Sequence, residues 1–534
     1  MKRIKNCILV LLGAVMTSCN ALDLGPEDFY SINNYWNSAE QCERFMIGLH
    51  YRLRERAETM WLMGESRGGL LSTASVTSTG EGAYNIEAVN NNLSEANPVL
   101  TNWGNFYMDI YQINHAIDKI TTACEFLDEE TRNTYLGQLY GLRAYYYFHM
   151  LRTWGGVPLC DKPDVLMTSE IAQLSKERAT EQATWQFIRD DVDRSCEIYD
   201  KLGFGNYKGR NCYWNKAASY CLKAEVYLWG AKVRPLKGSA VFSPTPEADL
   251  AEAQQALQTV EALYACNDKF IDAFSPTNKD SNRETIFAVR YKLGEKTNFY
   301  SNFTYNVSTF TKWYDLDGNK LGNVLNIGSG AMRYEYTLDF YRSFAAADTR
   351  RDATFLPFCG QDNDGKLEMA GLVLRKFLGE TDNGRVQYTN DLPVYRYMDV
   401  ALMLAEIANE LNEPAEVERW IGEGRVDCGF LRLPTLPGFD TMLLKQDEYK
   451  VVLPVGHPLA ARESVPIEAL NGLPFLLLEH GRKTEVSDLL ERAHAQPDIR
   501  FTTWEDFAIM AMAERGLGVG ILPDLILRRR WYYS

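Results

Sequence analysis

The chain has 534 residues, 46% of them hydrophobic and 24% charged, enough for several packed cores. Its formal net charge of -15 argues against a nucleic-acid-binding surface, which needs clustered positive charge. The six histidines form no HxxxH or HExxH pair and the cysteines no CxxC, so neither a metal site nor a cofactor is expected.

Lys2, Arg3 and Lys5 precede an apolar run from Ile8 to Val15, then small residues up to Cys19. A basic start, a short apolar stretch and a small-residue processing site make an export signal. The run is far shorter than the ~20 residues that span a bilayer. Met16-Thr17-Ser18-Cys19 resembles a bacterial lipobox. That resemblance implies a lipoprotein signal peptide over 1–18 and a lipidated Cys19 as the first mature residue. Several acyl chains on one cysteine would anchor the protein stably, where a single chain binds marginally. Cys7 and Cys19 aside, nine of the 11 cysteines remain at scattered spacing. Most are expected to be buried apolar residues, and their pairing stays open.

Beyond the leader, apolar residues recur at helical spacing. Phe106, Ile110, Ile113, Ile117 and Ile120 stripe a helix over 103–120. A second helix over 132–153 carries a stripe of small residues, Gly137, Gly141 and Ala144, that lets a neighbour come close. Gly155-Gly156-Val157-Pro158 stops it. Trp214, Ala217, Cys221, Ala224 and Leu228 stripe a third helix. Leu250, Ala253, Leu257, Val260 and Tyr264 stripe a fourth, and Val394, Tyr397, Ala401, Leu404, Ala408 and Leu411 a fifth. Pro414 is expected to open a short partner helix. Hairpins of this kind cannot bury their faces alone and must stack, as in tetratricopeptide-like arrays. No 34-residue period is visible, so the array is expected to be irregular. Long Gly-, Asn-, Ser-, Thr- and aromatic-rich segments at 64–100, 234–247 and 279–336 are where a binding surface is expected.

The stretch GLRAYYYFHMLRTWGGVPLCDKP (141–163) resembles the most recognisable block of the SusD/RagB family. Further blocks follow in that family's order. They are Trp103-x3-Tyr107-x2-Ile110-x3-Asn114, Phe187-Ile188-x2-Asp191 with Asp193, the Ala217–Trp229 helix, Asp348-x-Arg350-Arg351-Asp352, and 394–411. The resemblance runs from about residue 16 to about 420 and implies a mainly α body over 19–420, with tetratricopeptide-like hairpins and long loops. It implies a surface-exposed, lipid-anchored outer-membrane protein that is not an enzyme. Such a protein binds an oligosaccharide, polysaccharide or other nutrient and passes it to a TonB-dependent transporter. Sugar recognition needs flat apolar faces plus fixed hydrogen-bonding groups. Trp61, Tyr84, Tyr300, Tyr305, Trp313 and Tyr314 are the candidate faces, and Glu65, Arg67, Asn91 and Asn92 the candidate polar contacts. Trp103 reads as a helix-start packing residue, and the Asp348–Asp352 cluster as a structural ion-pair network.

After about Trp420 the text changes. Val426-Asp427-x-Gly429-Phe430, Gly456-His457-Pro458-Leu459-Ala460 and Gly516-Leu517-Gly518-Val519-Gly520-Ile521-Leu522-Pro523 resemble the effector-binding domain of LysR-type transcriptional regulators. Short β-type runs at 449–455 and 475–478 alternate with helical stretches at 484–493 and 504–515, so residues 421–534 are expected as a smaller α/β fragment. In that family a helix-turn-helix domain comes first and two lobes grip the ligand. Here that domain is absent and only the second lobe is represented, which argues against an effector role for Glu479, His480 or Thr503. The join is expected near 415–425. It would leave the helical body without its own closing helix and with apolar surface uncovered. The alternative readings are an effector-sensing regulator fragment and a helical-repeat scaffold that binds only protein. In bacteria that process lipoproteins, labelled palmitate is expected on the wild-type protein and absent from Cys19→Ala. Equal labelling of both would remove the anchor.

Overall fold

The computed structural model describes residues 35–73, 86–164, 174–236, 238, 240–328, 330–411, 413, 448–462, 464–478, 485–503, 506–524 and 527. Cys19, Tyr84, Glu479, His480, Pro414 and the 415–425 join lie outside the described residues. Two units separate, Met1–Leu433 and Pro434–Ser534, and each is described by itself.

The first unit is built on seven long helices, with four short ones of four to six residues beside them among its described residues. The long ones are α1 Ala39–Met63, α2 Gly104–Thr122, α3 Glu129–Trp154, α4 Glu181–Tyr199, α5 Lys216–Lys232, α6 Pro246–Glu261 and α7 Tyr397–Glu410. Side chains of Ser38, Asp128, Thr180 and Asn215 accept backbone N–H groups at the starts of α1, α3, α4 and α5. Each such cap stabilises its helix by about 1 kcal/mol. Helix α3 stops where expected, at Gly155, whose φ of 71° suits glycine. Neighbours along the chain pack pairwise, α3 on α4, α4 on α5 and α5 on α6, with α7 closing against α6.

Glycines set how closely these helices meet. A Cβ on Gly141 would fall 2.1 Å from Trp214 Nε1, and one on Gly137 would fall 2.6 Å from Tyr199 Cε2. At Gly230 the ring of Trp185 would be 2.5 Å away. Trp185 and Trp214 are both fully buried, so neither ring can swing aside into solvent.

Polar groups tie the same core together. Arg143 on α3 grips Asp191 on α4 with Nε and Nη2, each at 2.7 Å, and Nη1 donates to Asn114 on α2 at 2.7 Å. Asp109 on α2 is 1% exposed and takes Arg52 at 2.8 Å and Arg56 at 3.2 Å, both from α1. His50 on α1 accepts the Trp214 backbone N–H through Nε2 at 2.9 Å. Trp103 caps α2 and meets Trp154 edge-on at 5.8 Å, the packing role expected of it. Asp348 accepts the Arg350 backbone N–H at 2.9 Å and pairs with its guanidinium at 2.6 Å, a local structural network.

Eight short strands punctuate the helices: β1 Leu71–Thr73, β2 Thr285–Val289, β3 Tyr334–Tyr336, β4 Phe355–Gln361, β5 Leu367–Leu374, β6 Glu380–Asp382, β7 Arg385–Gln387 and β8 Leu392–Arg396. They pair antiparallel as β1–β3, β2–β8, β4–β5 and β6–β7. The stripe read as one helix from Val394 is therefore a strand followed by a helix. Residues 394–396 pair with β2, and Asp399 turns the chain into α7 by accepting the Arg396 backbone N–H at 2.8 Å. Along one flank of α7 runs a cavity of ≈ 640 Å³, bordered by His149, Trp229, Tyr395, Leu402 and Met403. Leu402 is 47% exposed there.

The second unit has β9 Tyr449–Val452, β10 Pro474–Leu478, β11 Asp498–Thr503 and β12 Val519–Pro523 in the order β11-β10-β12-β9. Strand β10 is parallel to β11 and β12, and β12 is antiparallel to β9. Phe475 and Leu477 pack with Val486 and Leu490 of α8 Glu485–Arg492. Leu476 and Leu478 pack with Ile509 and Ala513 of α9 Asp506–Glu514. Alternate side chains thus bury both faces of the central strand, an α/β sandwich.

Gly141→Ala is expected to cost about 1–3 kcal/mol of stability, seen as a lower urea midpoint, because the added methyl has no free volume. Gly48→Ala in α1 meets no atom within 4 Å and should be neutral or stabilising by up to ~1 kcal/mol. Equal effects at the two positions would contradict the close-packing account.

Candidate ligand-binding site

The β4–β5 hairpin organises the loop aromatics. It pairs Phe355 with Leu374 and Gln361 with Leu367. Side chains alternate along a strand. Leu372 and Leu374 enter one aromatic cluster and Val373 enters another. Trp61 and Tyr300 belong to the first cluster and Tyr305 to the second, Trp313 packs against the second, and Tyr314 bridges to Cys359 of β4.

On the first side, Trp61 comes from the last turn of α1. Its ring lies 5.5 Å from Phe299 and Phe303 and 5.2 Å from Tyr334. Tyr300 stacks on Phe377 at 4.1 Å. A polar rim runs above these rings. The Tyr336 hydroxyl donates to Glu65 Oε1 at 2.9 Å. Asn91 Nδ2 donates to the Arg67 carbonyl at 2.8 Å, with Arg67 Nε 3.4 Å from Asn91 Oδ1. Asn91 has φ 52°, which asparagine tolerates better than most residues. Glu65, Asn91 and Asn92 are exposed, while Arg67 and Tyr336 are half-buried.

Lys376 belongs to the same side. Its ammonium sits 4.5 Å from the Phe274 ring centre, 4.9 Å from Phe377 and 5.9 Å from Phe270. Burial pulls its pKa from 10.5 down to about 8; Glu65 opposes that shift and Arg396 adds to it.

On the second side, Tyr305 stacks on Phe310 at 4.0 Å and donates to Asn323 Oδ1 at 2.9 Å. Trp313 meets Phe358 at 5.2 Å and has Lys312 Nζ 5.3 Å from its ring. Its indole N–H has no acceptor among the described residues. Tyr314 carries Lys320 Nζ 3.8 Å above its ring. Both Trp313 and Tyr314 are half-buried.

These placements divide the candidates. Trp61 is 8%, Tyr300 5% and Tyr305 0% exposed. Neighbouring rings occupy their faces, so the expectation that they offer platforms to a sugar is corrected: they support the walls. Trp313 and Tyr314 keep partly open rings, and Glu65, Arg67, Asn91 and Asn92 stand at the surface. The sequence reading missed Tyr336, Asn323 and Lys376. Tyr336 ends the Tyr334-Glu335-Tyr336 alternation of β3, a strand signal inside a segment read as loop.

Gly64-Glu65-Ser66-Arg67-Gly68 has the GxSxG spacing of a hydrolase nucleophile elbow. Here it forms a short 3-10 turn after α1, not a strand-to-helix turn. Ser66 is fully buried and donates to the Leu62 carbonyl at 2.8 Å. That hydroxyl is a structural tie and not an exposed nucleophile.

The arrangement defines a helical-hairpin scaffold that presents aromatic and polar loop residues on either side of a strand pair. The family model described as "Starch-binding associating with outer membrane" matches residues 54–228, and the one described as "SusD family" matches 271–425. A SusD superfamily protein of known structure from Bacteroides fragilis is 35% identical. The match covers 73% of this chain and 79% of that one, at a TM-score of 0.66. The SusD-like protein P38 of Formosa agariphila is 24% identical over 460 residues, covering 80% of this chain and 82% of that protein. The chain belongs to the SusD family. Its C-terminal part matches a different model, "LysR substrate binding domain", over 405–531. There it is 35% identical over 115 residues to the probable HTH-type transcriptional regulator LrrA of Synechococcus elongatus, spanning 38% of that protein. The chain is thus a SusD-family body whose C-terminal part is similar to the LysR substrate-binding domain.

Between pH 8 and 10.5, Lys376 has lost its proton in the folded protein but keeps it in the unfolded chain. The unfolded state then binds more protons, so stability gained from this group rises with pH. The melting temperature of the wild type should gain on that of Lys376→Met across that range. A constant difference between the two would refute the buried-ammonium account.

Proposed function

We propose that residues 19–420 act as a surface-exposed nutrient-binding lipoprotein, anchored through Cys19 in the outer membrane. A glycan binds on the loop face flanking β4–β5 and passes to a TonB-dependent transporter. The protein serves as a binding module and not as an enzyme. The observation that carries this reading is that each side of β4–β5 keeps partly open rings, Tyr336 on the first, bonded to Glu65 in a rim with Arg67, Asn91 and Asn92, and Trp313 and Tyr314 on the second. Rings of this kind cover the C–H face of a pyranose, and the rim supplies donors and acceptors for its hydroxyls. The family model's printed description, which couples starch binding to the outer membrane, favours the same class of ligand. Among the described residues no helix is long and apolar enough to cross a membrane, and anchoring is assigned to the lipid.

The tail over 421–534 receives no effector role in this proposal. It spans little more than a third of the regulator it matches. In the LysR-type family the cleft is built by two lobes, of which this part of the chain resembles the second.

A panel of immobilised polysaccharides tests the proposal. The full chain should be retained on at least one. Trp313→Ala should weaken that retention by about two- to tenfold, since ring contacts of this kind contribute about 0.5–1.5 kcal/mol. Phe310→Leu, on an enclosed ring behind it, should change retention little. No retention on any glycan, or equal retention by Trp313→Ala, would count against the assigned face.

A further inference from the structure

Cys42 lies in the first turn of α1, and Cys124 lies in the turn that follows α2. The two are 82 residues apart in sequence, yet their sulfurs are 3.5 Å from each other. They are 0% and 1% exposed and belong to the same apolar core. Two thiols in contact there make only a weak interaction with one another. A disulfide bond is about 2.05 Å long, so closure asks the sulfurs to approach by about 1.5 Å. The turn that would give is held at defined points: Arg132 Nη2 donates to the carbonyls of Cys124 at 3.0 Å and Leu127 at 3.3 Å. Cys124 stands two residues past the end of α2, its backbone N–H donating to the Lys119 carbonyl at 3.1 Å.

We infer that Cys42 and Cys124 form a disulfide when the chain folds in an oxidising compartment, stapling the first helix of the body to the end of the second. The oxidant is a disulfide-bearing molecule, a small thiol dimer or an oxidoreductase. The first cysteine thiolate attacks it, forms a mixed disulfide and expels one thiolate. The second cysteine thiolate attacks the sulfur of the first, forms the Cys42–Cys124 bond and expels the other thiolate. Two thiol protons leave, and the two electrons reduce the oxidant to two thiols. Burial pushes the Cys42 thiol up to about 12, so thiolate is scarce in the folded protein and the bond forms while the chain is folding. Once formed, it is shielded from reductants by the same burial. The oxidising setting rests on the export proposed above; the choice of partners rests on geometry alone.

The test uses the full chain, unfolded with reductant and refolded in a mixture of reduced and oxidised glutathione. Free thiols are then alkylated and the peptides mapped by mass. The expected result is a Cys42–Cys124 cross-linked peptide and a melting temperature about 5 °C above that of the reduced protein. The double variant Cys42→Ala/Cys124→Ala should show no such dependence on reductant, with far-UV circular dichroism confirming that it folds. Recovery of both cysteines in alkylated form after refolding overturns the pairing. Acid-quenched alkylation of intact cells separates the two readings. A bond that forms on refolding but is missing from cells supports the pairing and counts against export.

Discussion

Large rings seated against glycines are the constraint on which the helical body depends. Trp214 occupies the space above Gly141, Tyr199 that above Gly137, and Trp185 that above Gly230. In each case the ring takes the volume where a side chain would stand, so the helices come closer than two ordinary surfaces allow. The same rings are hydrogen-bonded as well as packed. Trp214 Nε1 donates to Ser219 Oγ at 2.8 Å, and Tyr199 donates to the Trp214 carbonyl at 3.1 Å. A buried indole or phenol without an acceptor would cost about 1–3 kcal/mol, so position and polarity are fixed together.

The charged groups of this core act at the same interfaces. Arg143 links α3, α4 and α2 in one step, because Asp191 and Asn114 lie within reach of a single guanidinium. Removing one partner from such a buried pair commonly costs about 3–5 kcal/mol, since the other charge is left without compensation. The long loops can therefore vary around a body whose helix geometry is doubly specified.

Five of the seven long helices of the body were legible because their buried faces are apolar or small at regular spacing. Helices α1 and α4 carry the same signal, Cys42, Met46, Leu49, Leu53 and Ala57 on one and Trp185, Ile188, Val192, Cys196 and Tyr199 on the other, and the sequence reading missed them although the stripes are there. Asp191 and Ser195 interrupt the second stripe and are satisfied across the interface by Arg143 and Gly137. The proposed ligand face lies in segments that the sequence marks as long loops. Which aromatic keeps an open ring depends on what packs over it, and that is set by contacts between Trp61 and Tyr334, or Tyr300 and Phe377, that no spacing rule reveals. The change of text after Trp420 was legible because motifs of a second family run in order there, with a switch from helical to alternating periodicity.

Strand β5 sends Leu372 and Leu374 one way and Val373 the other, so a single backbone serves as the shared partition of two aromatic chambers. A shift of one residue along β4 would exchange the chambers' contents and empty both, which locks the register. The partition thus behaves as a stiff keel. Reshaping what the protein grips is left to the polar edge above it, while enlarging either chamber from within would be felt immediately in the other.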